Sequence, residues 1–156
     1  MVFINFIDSH SISNLIVAEI MKSVVVGIII KKIEGVIKYL MVASSKDFGE
    51  FSGFYYPAGG HAKTGETERE TLIREYREEL EIEINPIKQI AVTPNDIKSE
   101  VTYWWICKTN DELKFDKNLK SHIADIRWFT KEEIKTEPKI WPATRKVFDE
   151  FVFKEN

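Results

Sequence analysis

Cysteine is almost absent from this sequence, whose 156 residues include only Cys107. One cysteine cannot form an intramolecular disulfide framework, so the class of small disulfide-stapled secreted folds is excluded and a cytoplasmic location is expected. Cys107 lies within a run of strand-forming residues that contains no histidine. We therefore predict that Cys107 is a small buried hydrophobe rather than a nucleophile.

The sequence also lacks an excess of positive charge and a long hydrophobic run. It has 22 Lys and Arg against 25 Asp and Glu, a net charge of −3, so general nucleic-acid binding has no electrostatic support. The apolar run Val24–Ile30 is too short to span a bilayer. We expect no nucleic-acid partner and no membrane partner. With no internal repeat or linker-like stretch, the pattern indicates one domain over residues 1–156.

Residues 1–22 have the least regular pattern. Met1–Ile7 is compatible with a short strand, and Ser11 or Ser13 could cap a helix that runs to about Lys22. The apolar residues of this helix extend nearly all the way round it, which indicates burial. We predict an N-terminal extension that packs on the domain. Packing against a second subunit, which would give a homodimer, is the alternative.

The rest of the chain has the pattern of a layered α/β domain. Val24–Ile30 and Val36–Val42 predict a hairpin around Glu34-Gly35. The other predicted strands are Phe54–Tyr56, Ile82–Val92 (interrupted at Pro86), Val101–Lys108, Leu113–Phe115 and Ile123–Phe129, with a loop at Thr93–Ser99.

Two helices are predicted after the last strand. Thr130 and Glu133 form a capping box for a short helix, and Pro142 suits the first turn of a closing helix. The closing helix has an apolar stripe made of Val147, Phe148, Phe151 and Val152.

The segment Gly59–Ile82 carries the strongest functional pattern. Thr67 and Glu70 read as a capping box, so a helix should begin near Thr67. At about 100° per residue the helix has two distinct faces. One is apolar and contains Leu72, Ile73, Tyr76 and Leu80, and the other is acidic and contains Glu68, Glu75, Glu78 and Glu79.

The acidic face is unfavourable without a partner. Glu75 and Glu79 are four residues apart and repel each other, which weakens a helix by about 0.2–0.5 kcal/mol. A hard divalent cation such as Mg²⁺ or Mn²⁺ would remove this penalty, since such ions prefer carboxylate oxygens. The alternative is a solvated charged helix with Glu70–Arg74 and Arg74–Glu78 ion pairs. That alternative does not explain the upstream glycines, which are Gly59, Gly60 and Gly65.

This segment resembles the signature box of the Nudix hydrolases, which is Gly, five residues, Glu, seven residues, then Arg-Glu-U-x-Glu-Glu-x-Gly-U, where U is a bulky aliphatic residue. Two positions depart from the box: Tyr76 is aromatic where an aliphatic residue is usual, and Glu81 replaces a glycine. A glycine there commonly forms a left-handed helix cap. The residues in register are Gly60, Glu66, Arg74, Glu75, Glu78, Glu79 and Ile82.

The resemblance implies an α/β/α sandwich with a mixed β-sheet and an enzyme that hydrolyses the diphosphate linkage of a nucleoside diphosphate joined to another group. It implies Mg²⁺, or Mn²⁺, held by Glu75, Glu78, Glu79 and the carbonyl of Gly59, with Glu78 and Glu79 among the catalytic carboxylates. Arg74 would fix the carboxylates, and Glu66 would brace the loop against the helix.

The general base is left open by the sequence. Many family members carry a further glutamate shortly before the Trp that is Trp128 here, and His122 occupies the comparable place. His122 is therefore a candidate base or ligand, and a surface histidine without a role is the alternative. The other acids considered are Asp96, Glu100, Asp116 and Asp125, while His61 is a candidate contact for a substrate phosphate.

The expected partner is a small-molecule nucleotide. Nucleoside triphosphates, including modified or oxidised ones, come first because the chain carries no added substrate domain. ADP-ribose or a sugar nucleotide comes second, and Pro94 is a weak hint towards this class. Dinucleoside polyphosphates are a further candidate substrate class. A non-catalytic nucleotide sensor is the alternative of another class. Tyr55 or a strand tryptophan could stack on a nucleobase, although core packing is the expected role of these rings.

Overall fold

The computed structural model describes residues 23–95, 100–114 and 122–155. The strand and helix predicted before Ser23 lie outside the described residues, as does Phe115. Leu113 and Lys114 are not in a strand, so the strand predicted at this place is wrong for these two residues. In the described ranges, no helix is long and apolar enough to cross a membrane.

The predicted hairpin is present. Strand β1 (Ser23–Ile33) pairs antiparallel with β2 (Val36–Ser44), with Ile33 opposite Val36. The two turn residues both have positive φ, 51° at Glu34 and 81° at Gly35. A two-residue turn with positive φ at both positions matches the right-handed twist of the strands that it joins.

A mixed sheet forms around this hairpin. Its other strands are β3 (Tyr55–Tyr56), β4 (Gly59–His61), β5 (Asn85–Pro94), β6 (Val101–Lys108) and β7 (Ile123–Phe129). The path is β3-β2-β1-β6-β5, while β4 also pairs with β1 and β7 also pairs with β2. Only the β1–β6 pair is parallel among the described strands. Strands β6 and β7 have the predicted bounds.

Helices cover both faces of the sheet, as predicted. Helix α1 (Glu68–Leu80) buries Leu72 and Tyr76 against one face. The other face is covered by α2 (Lys131–Thr136), α3 (Pro142–Val147) and the turns that follow α3. Alternation along β6 directs Tyr103, Trp105 and Cys107 to the α1 side and Trp104 and Ile106 to the other side. Cys107 is fully buried, and burial raises the pKa of its thiol to about 12.

The stripe predicted for the closing helix is wrong at one residue. Val147, Phe148 and Val152 are buried, but Phe151 is 38% exposed and Phe153 is 7% exposed. The reason is that α3 continues into a π-helical turn, Phe148–Val152, and then a 3₁₀ turn, Phe153–Glu155. The wider π turn changes the phase of the helix, so Phe153 packs against Tyr39 and Phe148 in the position expected for Phe151.

Strand β5 also differs from its prediction. It begins at Asn85 rather than Ile82 and continues through Thr93 and Pro94, which were expected in a loop. Its pairing with β6 shifts register between Pro86 and Lys88 and again between Gln89 and Ala91. The predicted interruption at Pro86 is therefore a bulge within an edge strand, where a proline is tolerated.

Glu81 ends helix α1 in the left-handed conformation, with φ 55° and ψ 35°. A residue with a Cβ is strained there by about 1–2 kcal/mol, and the greater freedom of glycine in the unfolded chain offsets part of the difference. We expect Glu81→Gly to raise the free energy of unfolding by about 0.5–1 kcal/mol. Urea unfolding of both proteins measures this change, and an equal or lower value for the variant would show that the cap is unstrained.

Candidate active site

The site begins where β4 passes close to β1. Gly59 pairs with Val26, and the backbone N–H of Gly27 donates to Ala58 O over 3.0 Å. A Cβ built on Gly59 would lie 2.0 Å from the carbonyl oxygen of Val25. No side chain fits this approach, so the sequence needs glycine here to bring the next turn against helix α1.

Gly60 makes room for an acidic side chain in the same way. A Cβ on Gly60 would lie 2.4 Å from both Cδ and Oε1 of Glu75. The carboxylate of Glu75 therefore occupies the space that the glycine leaves free. The glycine pair and the acidic face of α1 form one structural unit.

Helix α1 starts at the predicted place, since Thr67 caps it by accepting a hydrogen bond from the backbone N–H of Glu70 over 3.2 Å. One face is buried as predicted, with Ile73 partly buried. The acidic face turns towards the glycine pair.

Arg74 is the centre of the acidic cluster. Its Nε donates to Glu66 Oε2 over 2.6 Å, and its Nη1 donates to Glu75 Oε1 over 2.9 Å and to Glu78 Oε2 over 3.3 Å. Its Nη2 donates to the carbonyl of His61 over 3.1 Å. A guanidinium has five donors in a fixed plane, so this one side chain can hold three carboxylates and the backbone at His61.

Glu66 ties the loop to the helix. Besides Arg74, its carboxylate accepts from the backbone N–H of Lys63 over 2.8 Å and from the Thr71 hydroxyl over 3.3 Å. The hydrogen bond from Arg74 is the main reason that the pKa of Glu66 falls to about 2. Glu66 is therefore ionised across the ordinary pH range and makes the contacts expected of a brace between loop and helix.

Glu79 lies beside His122, 2.9 Å from its Nε2. His122 is fixed at the start of β7, because its carbonyl accepts from Ser45 N over 3.0 Å and from the Ser44 hydroxyl over 3.2 Å. Burial raises the pKa of Glu79, and the nearby Glu75 carboxylate raises it further, while His122 opposes both effects. The structure thus brings together two site candidates that are 43 residues apart in the sequence.

The predicted metal ligands are only partly assembled. Glu75, Glu79 and Gly59 line one cavity, but Glu78 is directed at Arg74 and its side chain is 55% exposed. Among the residues that the structure describes, no three His, Cys, Asp or Glu side chains converge on one point. The donors fit Mg²⁺ or Mn²⁺, since all are hard oxygens, and a cation would relieve the repulsion between Glu75 and Glu79.

The cavity has a volume of about 680 Å³. Glu75, Glu79 and His122 form one part of its wall, and several residues from separate elements form the rest. Glu100 is one of the acids considered from the sequence. Sequence patterns gave no reason to place the others at the site, and these include Lys46, Phe48, Asn95 and Trp141.

The other described candidates contact partner side chains within hydrogen-bond distance. His61 lies 3.1 Å from Glu100 and both line the cavity. Asp125 accepts a hydrogen bond from the hydroxyl of Tyr55, and Trp105 donates to Glu68 over 2.8 Å. Tyr55 and Trp105 are therefore engaged away from the cavity wall, whereas Trp104 is a buried part of it. Asp96 and Asp116 lie outside the described residues.

The family model described as "NUDIX domain" matches residues 21–151. The chain therefore belongs to the NUDIX domain family, as the box predicts. This membership supports the predicted enzyme class, a Nudix pyrophosphohydrolase, and Nudix enzymes generally use divalent metal ions.

Several known proteins are similar to this chain. The human NAD-capped RNA hydrolase NUDT12 is 29% identical over 83 residues, which are 53% of this chain and 17% of NUDT12. The chain thus spans less than a fifth of that relative. The MutT protein of Methanosarcina mazei Go1 is 19% identical, with a TM-score of 0.68 over 86% of this chain and 94% of that one. The Caenorhabditis elegans Ap4A hydrolase in a binary complex is 18% identical, with a TM-score of 0.66 over 85% and 96% of the two chains. These structures confirm the predicted fold.

Proposed function

We propose that this protein hydrolyses a diphosphate linkage in a nucleoside diphosphate joined to another group, and that it needs Mg²⁺ to do so. The observation that supports this most strongly is that Glu75, Glu79 and Gly59 line the same cavity. A cluster of carboxylates at a cavity is unfavourable by itself and becomes favourable once a cation binds.

Glu75, Glu79 and the Gly59 carbonyl would hold the metal, and Glu78 would join them by turning away from Arg74. The bound cation would neutralise phosphate oxygens and lower the pKa of a bound water. Arg74 keeps its contacts with Glu66 and Glu75 and so holds the carboxylates in place. Its role is to position these groups.

We assign the proton acceptor to the Glu79–His122 pair. Hydrolysis adds one water across the anhydride: the new P–O bond forms, the bond to the bridging oxygen breaks, and one proton must leave the attacking water. Glu79 lines the cavity, and its carboxylate could accept that proton. The 2.9 Å contact with His122 supports a role for the histidine in orienting Glu79.

A nucleoside triphosphate is the first substrate class, and it would give the monophosphate and pyrophosphate. ADP-ribose or a sugar nucleotide is the alternative. By their names, the relatives act on substrates as different as Ap4A and NAD-capped RNA, so family membership leaves the substrate open. The alternative of another class is a nucleotide sensor that binds without hydrolysis.

The test is a product-release assay of the whole chain over nucleoside triphosphates, ADP-ribose, sugar nucleotides and Ap4A, each with Mg²⁺ and with excess EDTA. We expect turnover of one class, with a loss of at least about 100-fold in EDTA, because the metal supplies most of the charge stabilisation. Equal rates in EDTA would contradict the metal-dependent mechanism. Nucleotide binding by equilibrium dialysis, without turnover of any compound, would support the sensor instead.

A further inference from the structure

The loop between β2 and β3, residues 45–54, brings two chemically different side chains to the cavity. Lys46 and Phe48 both line it, and Asp47 between them turns into the loop. Among the described lining residues Lys46 is the only Lys or Arg, while Glu75, Glu79 and Glu100 are all acidic. A negatively charged substrate therefore meets one lysine in a cavity whose carboxylates repel it.

Hydrogen bonds fix the shape of this loop. The carboxylate of Asp47 accepts from the backbone N–H of Gly49 over 2.8 Å and from the hydroxyl of Ser52 over 3.0 Å. The oxygen of the same hydroxyl accepts from the backbone N–H of Phe48 over 2.8 Å. Before Asp47, the backbone N–H of Lys46 donates to the Ser44 hydroxyl oxygen over 3.1 Å. The backbone that carries Lys46 and Phe48 is therefore held on both sides of Asp47 without a ligand. Such preorganisation lowers the entropy lost on binding.

Phe48 meets Trp141 edge to face across the cavity wall, with ring centroids 5.7 Å apart and planes at 88°. Trp141 also packs against Phe51, with ring centroids 5.1 Å apart, and against Tyr56 at 6.1 Å, and its backbone N–H donates to Tyr55 O over 3.0 Å. Both rings at the wall are only half-buried. Two perpendicular rings form a corner in which a planar ring can stack on one and meet the edge of the other.

We propose that residues 45–54 are the substrate-selecting loop of this cavity: Phe48 with Trp141 binds the nucleobase, Lys46 binds an anionic group of the same nucleotide, and Asp47 and Ser52 are positioning residues that hold them. This proposal rests on the proposed function, because it describes how the same cavity takes its substrate. It adds the residues that distinguish a nucleotide from a base-free phosphate compound.

The first experiment measures nucleotide binding directly, by equilibrium dialysis in EDTA so that hydrolysis does not consume the probe. ATP, GTP, CTP and UTP are compared with inorganic tripolyphosphate. Phe48→Leu and Trp141→Leu should weaken nucleotide binding about 5- to 100-fold, the range for loss of a stacked base, and should leave tripolyphosphate binding unchanged. Lys46→Met should weaken both kinds of probe by a similar factor. Glu50→Gln, an exposed charge change in the same loop, should alter neither.

The second experiment separates positioning from bulk stability. Asp47→Ala removes the acceptor for Gly49 N and the Ser52 hydroxyl, and we expect KM for the preferred nucleotide to rise about 5- to 10-fold at unchanged kcat. Asp47→Asn keeps an acceptor oxygen, so its KM should be close to the wild-type value.

Different results would contradict the loop proposal and the hydrolase proposal. If Phe48→Leu and Trp141→Leu weaken tripolyphosphate as much as nucleotides, or weaken neither, the selecting role is wrong whether or not the enzyme turns over. If wild-type protein binds nucleotides with the predicted variant pattern but hydrolyses nothing, the loop proposal stands and the hydrolase proposal fails.

Discussion

Glu79→Gln is expected to lower kcat/KM by about 10²–10⁴-fold, the range for removal of a positioned proton acceptor. Glutamine keeps the shape of the side chain and can still accept a hydrogen bond from His122, but it cannot take a proton from water and gives a metal no negative charge. The measurement is product release at saturating Mg²⁺ with the preferred compound of the panel.

The same variant should fold as well as the wild type or better. Burial and Glu75 both disfavour the charge on Glu79, which is the cause of its raised pKa. A neutral side chain removes that unfavourable charge, so in EDTA at neutral pH we expect an equal or higher free energy of unfolding. Lower activity with lower stability would instead indicate a structural role.

Glu70→Gln is the matched control for this comparison. Glu70 is on the same helix and is exposed, outside the cavity. It should keep wild-type activity, because the substitution changes the net charge of the helix by the same amount without touching the cluster. A loss similar to that of Glu79→Gln would mean that helix charge, rather than the proton acceptor, controls the rate.

Gly60→Ala is expected to lower kcat/KM by about 100-fold, because displacing a catalytic group by about 1 Å is enough for such a loss. The new methyl group would meet Glu75 at 2.4 Å, and the carboxylate must move to make room. Since the clash is with the end of a flexible side chain, the free energy of unfolding should fall by only about 1 kcal/mol, roughly the Arg74–Glu75 hydrogen bond.

Gly59→Ala is the comparison that separates these effects. Its methyl group would meet backbone, 2.0 Å from the Val25 oxygen and 2.7 Å from the Val26 Cα, and no side chain can move aside. We expect its free energy of unfolding to fall by about 3 kcal/mol, at the upper end of the range for overpacking. If Gly60→Ala loses stability as Gly59→Ala does, or keeps full activity, the role given to the Gly60–Glu75 contact is wrong.

The sequence predicts those parts of the fold that depend on local patterns. The bounds of β6 and β7, the N-cap at Thr67 and the capping box at Thr130 were predictable because each depends on residues within a few positions of one another. The burial of Phe153 in place of Phe151 was not predictable, because the π turn is wider than the 3.6-residue period of an α-helix. The bulges of β5 likewise depend on its pairing with β6.

In the candidate site, too, only contacts between residues close in the sequence could be predicted. The box gave Glu66, Arg74 and Glu75 together because their spacing is fixed by one loop and one helix. The contact between His122 and Glu79 depends on the pairing of β7 with β2, including its irregularity between Ala43 and Ser44. Lys46, Phe48 and Trp141 share no sequence spacing, since a loop and a distant helix start bring them to the cavity, and only the structure groups them.

The central claim is that the metal and the chemistry share the acidic face of α1, and the position of a bound Mn²⁺ tests it most directly. Crystals soaked in MnCl₂ and measured near the manganese absorption edge give this position independently of any rate. We expect a peak about 2.0–2.5 Å from oxygens of Glu75, Glu79 and the Gly59 carbonyl. A peak only at other residues, or none at a concentration that supports turnover, would contradict the claim.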